Sequence, residues 1–141
     1  MTISGESGQL VIEFVERTPD GLPCAGDVCC SVDATCMGFA GRDDAVWFSR
    51  DAVDRFIDEL RKLDATRQGK ATLEDYSVGS EYDGVAITLF SIDGVGHLAV
   101  RAELSKPHYD LHTLRKKSVS VEFETEEYFG RIVSDFEGLL A

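Results

Sequence analysis

Val53, Phe56, Ile57, Leu60 and Leu63 recur at the i, i+3, i+4, i+7 spacing of an α-helix, laying one apolar stripe along one side of the segment. The other side carries Asp54, Arg55, Asp58, Glu59, Arg61 and Lys62 and reads as mostly solvated. Ser49 is placed to cap this helix, because its hydroxyl can accept from first-turn N–H groups, and Asp51 sits near the positive end of the dipole. A helix with one apolar side must bury it against another element, so the chain needs a partner layer.

Strand patterns supply that layer. Leu98, Val100, Ala102 and Leu104 alternate with His97, Arg101 and Glu103, and Val119, Val121 and Phe123 alternate with polar residues along 117–124. Further strand patterns cover 9–16, 27–39, 45–48, 70–76 and 84–92. Pro19 and Asp20-Gly21 mark a turn, "GRDD" (41–44) reads as another, and Asp93-Gly94 is a hairpin signal. Thr125 is placed to cap a last helix over 126–140, with Tyr128 or Phe129, Ile132, Val133, Phe136, Leu139 and Leu140 as its stripe. Short connections favour antiparallel pairing. The expected architecture is α+β: an antiparallel sheet, or a small open β-sandwich, of six to seven strands with two amphipathic helices. Residues 1–8 read as a flexible tail and 9–141 as a single domain. The two strand-to-helix units match at an offset of 76 residues, which shared capping and packing rules account for.

At 141 residues the chain is long enough for one core, and its net charge of −12 disfavours nucleic acid and anionic membranes as partners. It suits a basic protein partner. "MTISGESGQL" has neither the basic nor the apolar region of a signal peptide, and no run approaches a bilayer span. The expected setting is the cytoplasm, where thiols stay reduced.

The four cysteines crowd into "CAGDVCCSVDATC" (24–36) but lack the paired spacing of a zinc site. Read with period two, Val28, Cys30, Val32, Ala34 and Cys36 face inward and Cys29 faces the other way. Cys24 belongs to a turn, and Cys24 and Cys29 are the two positions where a reactive thiol remains open. His108 and His112 have a helical metal-ligand spacing, yet Pro107 places them in a loop over 105–114. "DGVGHL" lacks the lysine and the helix of a phosphate loop, and no G-x-S-x-G occurs. No catalytic residue, metal ligand or cofactor is assigned, and the expected role is non-catalytic binding.

The order of the segments "AVWFS", "RDAVDRFIDELRKL", "GKATLED", "VAITLFSIDGVGHLAVRAEL" and "VSVEFETEEYFGRIVSDFEGLL" resembles the WapI-type immunity proteins of bacterial polymorphic toxin systems. Trp47, Phe56, Leu60, Leu63, Gly69, Ala71, Leu73, Leu89, Asp93, Gly96, His97 and Phe123 carry the resemblance, which covers most of 9–140. Where that family has a D-x-x-Y/F-L pattern, this chain has Thr125-Glu126-Glu127-Tyr128-Phe129. The resemblance implies a cytosolic antidote, without catalytic residues, that binds a cognate toxin such as a nuclease. On charge grounds the partner-binding acids are Asp43, Asp44, Glu74, Asp75, Glu81, Asp83, Glu122, Glu124, Glu126 and Glu127. The partner is then a basic toxin domain, and the chain itself a monomer or weak homodimer. A metal- or small-molecule-binding module using the Cys/His set, and a structural domain that self-associates through an uncovered sheet face, remain the alternatives.

Overall fold

A computed structural model of the chain describes residues 1–76 and 84–140. Its elements run β1 (Thr2–Ser4), β2 (Gly8–Arg17), β3 (Val28–Cys36), β4 (Phe39–Phe48), α1 (Arg50–Thr66), β5 (Lys70–Glu74), β6 (Val85–Ser91), β7 (Leu98–Asp110), β8 (Thr113–Thr125) and α2 (Phe129–Leu140). The strands form two four-stranded antiparallel sheets, β1-β2-β3-β4 and β5-β6-β7-β8. The fold is therefore α+β with two helices, but with eight strands in two sheets where six to seven were expected. Each half of the chain repeats one order, four antiparallel strands and then a helix.

The first helix follows its sequence pattern. Ser49 is extended (φ −68°, ψ 151°) and its hydroxyl accepts from the Ala52 N–H at 3.1 Å. Asp27, almost fully buried, accepts from the Arg50 N–H at 2.9 Å, so a second acceptor holds the same helix end. All five stripe residues are buried. Glu59, read as solvated, reaches across to accept from the Thr72 N–H of β5.

The second helix begins later than expected. Thr125 is buried at the end of β8; its hydroxyl donates to the Ser4 carbonyl and accepts from the Glu127 N–H. It ties β1 to β8 instead of capping a helix at 126. Phe129 is the inward aromatic and Tyr128 is exposed. Both helical stripes and the inner faces of both sheets merge into one core.

Three other expectations change. Residues 1–8 are not a tail: β1 pairs with β2, and Ile3 is fully buried. "GRDD" is not a turn but part of β4, where a bulge opposite Cys30 and Val32 absorbs the extra residues. The turn lies at Met37-Gly38, both with positive φ (47° and 87°), the geometry of a two-residue hairpin. The loop predicted over 105–114 is a hairpin arm. Here β7 and β8 run on as a two-stranded ribbon from Ser105–Ser118 to Asp110–Thr113, after β6 has ended opposite Leu104. Pro107 fits because β7 is an edge there and its missing N–H breaks no ladder.

The two sheets meet closely where the β1–β2 turn lies on β8. A Cβ on Gly5 would stand 1.9 Å from the Glu124 carbonyl oxygen, and one on Gly8 2.6 Å from the Phe123 ring. Gly138 in α2 has open space around its Cβ position. Gly5→Ala is expected to cost about 1–3 kcal/mol by forcing this turn off β8. Gly138→Ala should instead add about 0.5–1 kcal/mol through helix propensity. Urea unfolding midpoints of the two variants should move in opposite directions.

Candidate interaction groove

The ends of five elements build one open groove of about 890 Å³. Glu6 and Ser7 enter from the β1–β2 turn and Met37 from the β3–β4 turn. Phe90 and Ile92 come from the end of β6, Ala99 from β7, and Glu122, Phe123 and Glu124 from β8. The floor is apolar, with Met37 (81% exposed) and Ile92 (45%) open to solvent, and three carboxylates stand around it. Arg101 lies over the Phe90 ring at 5.1 Å and donates to Glu122 at 3.0 Å, which fixes both edges of the floor. Cys36, expected to point into the core, is half-buried against it at the end of β3 and donates to the Glu122 carbonyl at 3.5 Å. Glu124 has no ion pair among the described residues.

Beside the groove, the β6–β7 connection is closed by an ion pair between Asp93 and the His97 Nδ1. Asp93 also accepts from the Val95 N–H at 3.0 Å. The Asp93 hydrogen bond, then its charge, then Glu124 and Glu126 hold the His97 pKa above its ordinary value. The same His97 hydrogen bond lowers that of Asp93.

The ten acids assigned to partner binding do not form one surface. Glu122 and Glu124 line the groove, and Glu126 is exposed next to them. Glu127 is bound to Arg131 at 2.5 Å. Asp43, with 15% of its side chain exposed, pairs with Lys106 at 3.5 Å, and Asp44 pairs with Arg42 at 2.6 Å. Glu74 and Asp75 line a separate shallow cleft with Arg55, Glu59 and Tyr76 beside α1. Glu81 and Asp83 lie outside the described residues. Glu6, Met37, Phe90 and Ile92 were not singled out from sequence. Only strand alternation could have flagged Phe90, and Glu6 was hidden by reading 1–8 as a tail.

The cysteines diverge. Cys24 is exposed on the β2–β3 loop with φ +62°, Cys29 and Cys30 are buried on opposite faces of β3, and Cys36 ends that strand. Cys29 is thus covered although its face was read as outward. Burial pushes the Cys30 thiol up to about 11, with Cys29 adding to the rise. Burial, then Glu16 and Asp43, raise that of Cys29. His108 stands opposite Arg115 on the arm, and His112 lies in the turn at its tip. Among the described residues no three His, Cys, Asp or Glu side chains converge to hold a metal ion, and no helix is long and apolar enough to cross a membrane. Comparisons with family models, with curated proteins and with solved structures give no match.

Two measurements follow from this geometry. The Asp93 contribution is present above the ordinary carboxylate pKa and is lost as pH falls through its lowered value. The His97 contribution is present below the ordinary histidine pKa and is lost as pH rises through its raised value. In Asp93→Asn the NMR titration midpoint of His97 should fall back toward about 6.5; an unchanged midpoint contradicts the pairing. Maleimide labelling of the native protein should modify Cys24 at once and Cys36 more slowly. Cys29 and Cys30 should react only on unfolding.

Proposed function

We propose that the chain is a non-catalytic, cytosolic binding protein that neutralises a basic toxin domain, an immunity protein of the WapI type. The observation that carries this reading is the groove, an apolar floor ringed by Glu6, Glu122 and Glu124. Such a surface suits a basic polypeptide. Met37, Ile92 and Phe90 offer area to bury, and the carboxylates select and orient cationic side chains. A nuclease has a cationic cleft for phosphates, and the −12 charge of this chain gives steered, salt-sensitive association with one. The order of segments that resembles the immunity family supports the same reading, and the residues that carry it are largely core and turn positions.

On this reading the reading frame beside this gene encodes a toxin domain that arrests growth when expressed alone, and co-expression of the chain should restore growth. Glu122→Lys/Glu124→Lys should abolish that protection and slow association at low salt, whereas Asp44→Lys, which lies outside the groove, should leave both nearly unchanged. Failure of the wild-type chain to restore growth or form a complex at low salt would sink the reading.

A further inference from the structure

The hairpin arm differs in charge from everything beneath it. Residues 106–117 hold four of the fourteen Lys and Arg but one of the twenty-six Asp and Glu, so the arm carries +3 and the remainder −15. Register sorts these cations. Lys106 opposes Lys117 and His108 opposes Arg115, and these rungs alternate with Ser105–Ser118, Pro107–Lys116 and Tyr109–Leu114. With a period of two, the first two rungs share one face, the continuation of the core-facing side of Leu104 and Val119. All four side chains are exposed.

Lys106 and Lys117 are like charges directly opposite each other, which destabilises a strand pair. Asp43 relieves that repulsion, reaching Lys106 at the foot of the arm. Arg42, which lines a small cleft with Asp43, Lys106 and Lys117, is itself held by Asp33 and Asp44. Asp110 lies at the turn. Arg115 and Lys117 have no ion pair among the described residues, and Tyr109 (78%) and Leu111 (92%) stand open at the tip. The arm is a basic ladder awaiting an acidic surface.

We infer that this ladder docks on the acidic outer face of a second copy of the chain, across Glu122 and Glu124. Those two carboxylates are two residues apart on one strand, about 6.8 Å, which is also the separation of the two basic rungs. The body that presents them carries the −15 that attracts a +3 arm. A twofold arrangement satisfies both arms at once, each seated on the other copy's face. The contact would remove Leu111 at the tip of the arm, and Met37 and Ile92 of the groove, from water. A nucleic acid fits less well. The acidic body, which carries −15, repels a polyanion.

Sedimentation of the purified chain, with no toxin present, tests this separately from the toxin reading. The wild type should be a dimer at low salt and dissociate at high salt. Arg115→Glu/Lys117→Glu and Glu122→Lys/Glu124→Lys should each be monomeric under the conditions where the wild type is dimeric. An equimolar mixture of the two should recover a dimer, because each reversed arm then meets a reversed face, and this rescue requires both variants to be folded. A wild type that stays monomeric at low salt overturns the proposal, as does a dimer indifferent to both reversals. So does a monomer whose arm binds a single-stranded oligonucleotide.

Discussion

The contact between Phe56 and Phe136 ties the two halves of the molecule together. The rings meet edge to face with centroids 4.9 Å apart, and neither is exposed. Such pairs add about 0.5–1.5 kcal/mol beyond the area they bury. More important is what they join. Phe56 belongs to the helix that follows the first sheet but packs beside β5 and β6 of the second, and Phe136 to the helix that follows the second sheet but packs beside β2 of the first, so each half completes its core with the other's helix. Around this pair the helices also meet at the surface, where Arg61 and Glu137 lie 2.7 Å apart. That exposed ion pair adds little by itself. The groove depends on the joint, because its carboxylates come from both sheets.

Charge is arranged against the grain of the composition. The body is acidic, yet several acids are spent inside it: Asp43 on Lys106, Asp44 on Arg42, Glu127 on Arg131. Glu122, held by Arg101, lies with Glu124 and Glu126 near the C-terminal end of β8, while Arg115, Lys116 and Lys117 lie near the other end of the same strand. A single strand thus carries both signs of surface, and net charge alone describes neither end.

The sequence is most informative where a periodic pattern meets a local cap. α1 was legible because Ser49, Asp51 and the apolar stripe all agree. The β6–β7 hairpin was legible for the same reason. The partition into two sheets was not, because alternation shows that a strand has one wet face but not which neighbours it joins. β1 was missed because its three residues, Thr2–Ser4, are too few to establish a period. The arm was missed because Pro107 was weighed as a strand breaker, and an edge tolerates it. The start of α2 was misplaced because Thr125 spends its hydroxyl on Ser4, a bond between residues 121 positions apart that no local rule anticipates. The groove shares that origin: its walls come from turns far apart in the chain, and only the fold makes them neighbours.

That same bond sets an order of events. Thr125 secures Ser4, and Arg131 donates to the Thr2 carbonyl at 3.3 Å, so β1 is anchored by residues near the other end of the chain. During synthesis β1 can pair with β2 early, but the residues that fasten it emerge only after most of the polypeptide has been made. Contacts of such long sequence separation slow folding. Of the eight strands described, the one made before the others is among the last to be fixed in place.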